Sequence, residues 1–134
     1  MSTQRIDYKQ LIEEITGIKV YPIIIPQNAI YPCIELSISG GARDSDSSIE
    51  VSNIKGYRVS ITICSSLSST NDGYESLLID ALDGKPNTKN GTKTLIMYHV
   101  GTAQLYNYSQ GLHEMTIDFT TKTFEPTDKV SVGV

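Results

Sequence analysis

Apolar residues recur at helical spacing near the N-terminus of the chain. They stand at Ile6, Leu11, Ile12 and Ile15. These three- and four-residue intervals predict an amphipathic helix over residues 3–16, and Gly17 supplies a left-handed stop. Because the apolar stripe is narrow, we expect this helix to lie on a sheet rather than inside a bundle.

A second helical pattern lies in the middle of the chain. Its apolar positions are Tyr74, Leu77, Leu78, Ala81 and Leu82. Asp72 and Glu75 have the spacing of a capping box, and Gly84 can end the helix. We therefore expect a helix between about Asp72 and Gly84 that buries one face.

Most of the remaining chain alternates between apolar and polar residues, which is typical of strands with one buried face. The predicted strands are residues 18–25, 33–39, 57–64, 94–99, 102–108 and 112–123. Gly101 and the pair Gln110-Gly111 are the predicted breaks among the last three. The resulting order, α-β-β-β-α-β-β-β, predicts one α+β domain over residues 1–134. We expect a largely antiparallel sheet with both helices packed on one face.

Three prolines interrupt the apolar stretch between the first two predicted strands. Because proline cannot donate to a sheet ladder, Pro22, Pro26 and Pro32 indicate strand ends, an edge or a connecting loop. The segment predicts a rigid exposed turn in which Pro26, Gln27 and Asn28 are candidate contacts for a partner.

Two polar segments are further candidates for contacts between subunits or with partners. Residues 40–56 make an unusually long predicted loop that contains Arg43, Asp44 and Asp46. Residues 125–134 form an extended tail in which Val130 and Val132 alternate with polar residues. The tail has two readings: a frayed end, or a short strand that pairs with a neighbouring subunit's sheet edge.

Composition narrows the function classes. The 134 residues carry a net charge of −4, which argues against a protein that grips nucleic-acid phosphates. The N-terminus lacks the apolar region of a signal peptide, and no apolar run is long enough to span a bilayer. We expect assembly in a cytosol without membrane association. Cys33 and Cys64 are expected to be buried and reduced.

The chain offers little catalytic chemistry. His99 and His113 are the two histidines, and neither cysteine has a nucleophile motif around it. The acidic loop lacks the glycine and glutamate of a calcium-binding loop. We therefore expect neither an enzyme nor a cofactor or metal site. Tyr98, Tyr106 and Tyr108 are expected to cluster, either in the core or at an interface.

Several segments, in order, resemble the tail terminators or tail-completion proteins of long-tailed bacteriophages. The most recognisable is KVYPIIIPQNAIYPCI at residues 19–34. A strand at residues 57–64, a helix ending in Ala-Leu-Asp-Gly at residues 81–84, and a final strand at residues 112–119 follow as in that family. The resemblance covers about residues 5 to 124. The chain departs from the family pattern in its longer loop and in the serine-rich linker before the second helix.

The resemblance implies a fold like the lambda tail terminator and a homo-hexameric ring in the virion, at the head–tail interface. Such a ring caps the tail tube and stops its polymerisation. Its implied partners are the major tail tube protein and the head–tail connector or stopper, while DNA passes through the lumen without specific binding. Two alternatives remain. One is another neck, head–tail joining or tail-tube protein; the other is an α+β module that binds a small ligand or peptide at the tyrosine cluster.

Overall fold

The computed structural model describes residues 2–22, 24–43, 54–89 and 92–124. Its elements are α1 (Ser2–Thr16), β1 (Val20–Tyr21), β2 (Cys33–Arg43), β3 (Ile54–Ser65), α2 (Ser68–Leu82), β4 (Asn87–Lys89), β5 (Thr92–Asn107) and β6 (Leu112–Phe124). The α+β class is confirmed. The order of elements is matched in part, because the structure has an unpredicted short strand, β4, and joins two predicted strands into β5.

The six strands form one mixed sheet in the order β1-β2-β3-β6-β5-β4. β1 runs parallel to β2, and the four other strand pairs are antiparallel. The expectation of a largely antiparallel sheet is matched in part, because the first pair of strands is parallel. Its reason is the proline-rich connection, which is long enough to return the chain to the start of β2 instead of making a hairpin.

One face of the sheet and both helices enclose a single hydrophobic core. The fully buried apolar side chains of the strands are Val20, Ile34, Leu36, Val59, Ile61, Ile63, Ile117 and Phe119. Ile12 of α1 and Leu78 and Leu82 of α2 close this layer from the other side. The two helices contact each other as well as the sheet. The prediction that both pack on one face is confirmed.

The helical pattern missed the largest buried side chain of α1. Tyr8 is 1% exposed, whereas Ile6, which the helical stripe included, is 51% exposed. The Tyr8 hydroxyl hydrogen-bonds to the hydroxyl of Thr94 and lies 3.2 Å from that of Thr123. A buried tyrosine needs such a partner for its polar end. The threonine hydroxyls on the core side of β5 and β6 therefore explain why α1 buries Tyr8 and not Ile6.

Two predicted strands form one long strand, β5. Gly101 does not break it, because the chain continues its pairing with β6 through two register shifts, at residues 94–96 and 99–101. A bulge lets a strand keep its partner while it inserts an extra residue. In contrast, the first strand is only two residues long, and residues 18–19, 22 and 24–25 of the predicted strand lie outside it.

The second helix begins earlier than its capping pattern indicated. Its N-cap is Leu67, with no side-chain cap hydrogen bond, and Asp72 lies inside the helix. The capping-box prediction is therefore wrong. Buried Asn71 fixes the first turn instead, because its amide accepts from Ser65 at 2.7 Å and donates to the His113 carbonyl at 3.0 Å.

Glycine stops and turns are where the sequence placed them. Gly17 and Gly84 follow the two helices with φ of 76° and 71°, and Gly111 has φ of 67° in the β5–β6 turn. The predicted loop at residues 40–56 is shorter than expected, since β2 and β3 extend to Arg43 and from Ile54. Part of the polar segment after α2 forms β4.

Candidate interaction surfaces

The sheet has two long strand edges at opposite ends. β4 covers β5 at residues 92–94, and the turn after α2 covers it further along. There the Gly84 amide donates to the Met97 carbonyl at 2.6 Å, and the His99 amide donates to the Asp83 carboxylate at 2.8 Å. Along residues 100–107, β6 is the only described strand that pairs with β5. At the other end, β1 pairs with β2 only at Ile34 and Glu35. Residues 36–43 of β2 pair only with β3 within the described part of the chain. Unpaired edges of this length offer backbone donors and acceptors to another strand.

The outer strand at one of these edges is unusually apolar. Its exposed apolar side chains are Leu95 (37% exposed), Tyr98 (51%), Val100 (56%), Leu105 (67%) and Tyr106 (39%). We call these five residues the β5 patch. Edge strands usually carry charges that discourage association, whereas this one carries apolar side chains on both faces. Such an edge is typical of a surface that another protein covers.

The predicted tyrosine cluster is only partly formed. The rings of Tyr106 and Tyr108 meet edge to face at 4.8 Å, and the Tyr106 ring lies 4.7 Å from that of His113. Tyr108 is 88% exposed and lies in the turn after β5, not in a strand. Tyr98 is separate, because its register partner is Thr120, seven residues along β6 from His113. The cluster is a surface feature at the β5–β6 turn.

The proline-rich connection forms an exposed loop. Pro26, Gln27 and Asn28 are exposed, and the Ala29 amide donates to the Pro26 carbonyl at 3.1 Å, which closes a turn. The Tyr31–Pro32 peptide bond is cis. We call residues 24–32 the proline loop. The candidate contacts Pro26, Gln27 and Asn28 therefore lie at the surface, where a partner could reach them.

The face of the sheet opposite the helices is polar and largely hydroxyl-bearing. Asp118 accepts hydrogen bonds from Ser60 at 2.6 Å and from Arg58 at 2.9 Å, and the hydroxyls of Thr62 and Thr116 are 2.9 Å apart. The hydrogen bond from Ser60 is the main cause that lowers the pKa of Asp118. The charges on this face are thus partly paired.

The two cysteines are register partners on β2 and β3. Both Cys33 and Cys64 are buried free thiols, as the sequence predicted. Burial raises the pKa of Cys64 to about 12, and the carboxylate of Glu114 adds to the shift. Burial also raises the pKa of Cys33, with Glu35 as a second cause. Both thiols therefore stay protonated and weakly nucleophilic near neutral pH.

The histidines and cysteines do not assemble into a dyad. His113 pairs with Ser65, the residue after Cys64, and successive strand residues point to opposite faces of the sheet. His99 pairs with Phe119 on the core side, and its Nε2 lies 2.8 Å from the Thr102 hydroxyl. Among the described residues, no group of three or more histidine, cysteine, aspartate or glutamate side chains could hold a metal ion.

The other candidate contacts are distributed unevenly. Arg43 ends β2 and pairs with Lys55 of β3. Asp44, Asp46, Val130 and Val132 lie outside the described residues. The reading of the tail as a pairing strand therefore stays a prediction. Within the described parts of the chain, no helix combines the length and apolar content needed to cross a membrane.

Sequence reasoning missed the most exposed apolar residues. Leu105 (67% exposed) falls in the predicted strand 102–108 without an assigned face. Ile24 (74% exposed) falls in the predicted first strand, and Ile30 (84% exposed) falls in the proline-interrupted segment. A signal was present in β5, where apolar residues fall on both alternating positions of a strand. That pattern indicates either a strand buried on both faces or one exposed for a partner.

Comparison with known proteins finds similarity in tertiary structure. No protein-family model matches the chain, and no curated protein matches it. Among solved structures, a chain from the structure titled "Virion of native gene transfer agent (GTA) particle" is similar over 91% of this chain and 90% of its own length. The TM-score is 0.57 and the sequence identity is 14%. This chain therefore shares its fold with a chain of a gene transfer agent virion.

Proposed function

We propose that this chain is a structural protein of a phage-like virion and that it acts as a tail terminator, without enzymatic activity. Two independent likenesses support the proposal. The ordered segments from residue 5 to 124 resemble phage tail terminators, and the fold is similar to that of a chain in a gene transfer agent virion. The first likeness comes from sequence and the second from tertiary structure.

The observation that carries the proposal is the pair of unpaired strand edges at opposite ends of the sheet. The outer edge of β5 in one copy can meet the outer edge of β2 in the next, so that the contact is head to tail. Repeated head-to-tail contacts close into a ring when the rotation between copies allows it. The β5 patch supplies the apolar area that such a contact buries.

A ring is also the form that a tail terminator needs. A chain of 134 residues has a radius of gyration of about 14 Å, too small to surround a DNA duplex by itself. The net charge of −4 suits a channel through which DNA passes without being held. In the proposed hexamer, one face meets the tail tube and the other meets the head–tail connector.

The first experiment measures assembly. Size-exclusion chromatography with light scattering should give a mass near six times 14.7 kDa, and negative-stain images should show rings. A Leu105→Lys variant places a charge in the β5 patch and should shift the protein to monomers. Leu77→Lys, on the exposed side of α2 (48% exposed), makes the same chemical change away from either edge and should leave assembly intact.

The second experiment measures the terminator role. Added to growing tail tubes of the phage or particle that encodes it, the protein should bind tube ends and stop elongation, and Leu105→Lys should fail to do so. A wild-type protein that remains monomeric and does not bind tube ends would contradict the proposal. A ring that does not bind tube ends would contradict the terminator role and favour a neck or head–tail joining role.

A further inference from the structure

A cleft of about 400 Å³ lies beneath the proline loop, on the polar face of the sheet. It is distinct from both strand edges and from the tyrosine cluster. Its walls are apolar on two sides, formed by Ile24 and Tyr31 of the loop and by Leu112 at the start of β6. Clefts of this volume and mixed lining are typical of ligand sites.

Two carboxylates border the same cleft. Glu35 of β2 and Glu114 of β6 line it, and no lysine or arginine is among the lining residues. Among the described residues, Glu114 accepts one hydrogen bond, a long one of 3.4 Å from Asn107. Neither carboxylate has a salt-bridge partner within the described parts of the chain. The strands that carry them are separated by β3, and the register offsets the two residues by two positions, which places their backbones about 12 Å apart.

The floor of the cleft adds a second, independent feature. Cys64 lines the cleft between the two carboxylates in strand order, is 4% exposed, and has no hydrogen-bond partner among the described residues. Burial and then the Glu114 carboxylate raise its pKa. Burial, nearby thiols and Glu114 likewise raise the pKa of Tyr31. Burial, the main cause of both shifts, disfavours a charge of either sign, whereas the smaller contribution of Glu114 is the part that favours a cation over an anion.

The rim of the cleft indicates what kind of molecule carries the cation. Ile24 lines the cleft and is 74% exposed, and Ile30, in the same loop but outside the lining, is 84% exposed. A small hydrated cation would leave these side chains in water. An extended peptide, in contrast, could place apolar side chains against the loop and basic ones against the carboxylates. Side chains at alternate positions of such a peptide are about 7 Å apart at the backbone, and long arginine or lysine side chains can diverge to reach both carboxylates.

We infer that this cleft binds an extended segment of a partner protein in which arginine or lysine alternates with apolar residues. Glu35 and Glu114 pair with the basic side chains, while Ile24, Tyr31 and Leu112 contact the apolar ones. Pairing with basic side chains neutralises the negative electrostatic potential that the two unpaired carboxylates create beside the buried thiol of Cys64. The inference does not depend on ring assembly, because the cleft lies within one copy of the chain.

Fluorescence anisotropy with three labelled peptides tests the inference on the full-length protein. The probes are Gly-Val-Arg-Val-Arg-Val-Gly and its versions with glutamine or glutamate in place of both arginines. We expect saturable binding of the arginine peptide, binding at least about tenfold weaker for the glutamine peptide, and none for the glutamate peptide. Equal binding of the arginine and glutamine peptides would overturn the charge recognition.

Matched variants locate the binding. Glu35→Gln with Glu114→Gln should weaken the arginine peptide by about tenfold or more. The control variant, Asp72→Asn with Asp80→Asn, also removes two negative charges, but from exposed positions on α2, and it should leave binding unchanged. Equal losses in both variants would show a response to net charge alone and overturn the site. Thermal melting of both variants checks that each remains folded.

A competition experiment separates a peptide site from a polyamine site. Spermidine carries cations but no apolar side chains, so it should compete only weakly with the arginine peptide. Complete displacement by spermidine at equal concentration would overturn the peptide inference and indicate a small polycation instead. Ile24→Ser should weaken the peptide without changing spermidine binding, and an unchanged peptide affinity in this variant would contradict the role of the rim.

Discussion

The hydroxyl of Ser60 donates a 2.6 Å hydrogen bond to the carboxylate of Asp118 on the neighbouring strand. Arg58 donates to the other carboxylate oxygen at 2.9 Å. Ser60 and Asp118 thus link β3 and β6, the central strands of the sheet, on the face opposite the helices. The hydrogen bond from Ser60 is the leading cause that lowers the Asp118 pKa below its ordinary value of 3.8.

This relationship predicts a pH dependence of folding stability. A carboxyl group whose pKa is lower in the folded state stabilises the fold above its unfolded pKa, and that contribution is lost as pH falls through the folded pKa. The free energy of unfolding, measured with urea near neutral pH and below pH 3.8, should therefore fall less on acidification for Asp118→Asn than for the wild type. Asp80→Asn on α2 is the control and should retain the wild-type acid loss; the two variants behaving alike would contradict the prediction.

The neighbouring leucines of α2 test the packing of that helix. Leu78 is fully buried, whereas Leu77 is 48% exposed. Leu78→Ala should lower the free energy of unfolding by about 2–5 kcal/mol, because it removes transfer free energy and leaves a cavity. Leu77→Ala should change it by less than about 0.5 kcal/mol. Chemical denaturation measures both, and similar effects at the two positions would show that the helix presents another face to the sheet.

Gly40 and Gly73 make a matched pair for backbone effects. Gly40 has φ of +103° at a register shift, and an added Cβ would lie 2.9 Å from the Gly56 carbonyl oxygen. Gly40→Ala should therefore destabilise by about 1–3 kcal/mol. Gly73 lies inside α2 with nothing within 4 Å of the added Cβ, so Gly73→Ala should stabilise by about 0.5–1 kcal/mol. Melting temperatures that move in the same direction would contradict this assignment.

The thiols predict slow alkylation of the folded protein. With the Cys64 pKa raised to about 12, little thiolate forms near neutral pH, and burial also restricts access. Iodoacetamide should modify Cys33 and Cys64 on the order of a hundredfold more slowly than in guanidinium-unfolded protein. Mass spectrometry over time measures this ratio. Rapid modification of the native chain would mean that the strands open at this end of the sheet.

The local pattern of the chain determined much of the fold. The alternation in residues 33–39, 57–64 and 112–123 set which side chains face the core, because a strand alternates its side chains whatever it pairs with. Glycines at the helix ends and in the β5–β6 turn set the stops, since the left-handed conformation favours glycine wherever it occurs. These are properties of single residues and their immediate neighbours.

Other features depended on partners that lie far away in the chain. Tyr8 is buried because threonines of β5 and β6 meet its hydroxyl, more than eighty residues away. Gly101 stays within β5 because β6 supplies the pairing on which the bulge rests. The start of α2 is fixed by Asn71, which reaches the carbonyl of His113. Propensity and capping patterns contain no information about such contacts.

The same distinction applies to the interaction surfaces: one follows from local sequence, and others follow from the tertiary structure. The sequence alone determined that the proline segment would end strands and expose Pro26, Gln27 and Asn28, because proline restricts its own backbone. Only the tertiary structure decided that residues 100–107 of β5 have no strand on their outer side among the described residues. It also decided that Glu35 and Glu114, 79 positions apart in sequence, border one cleft. Strand order is set by which buried faces can pack together, and that choice involves the whole chain at once.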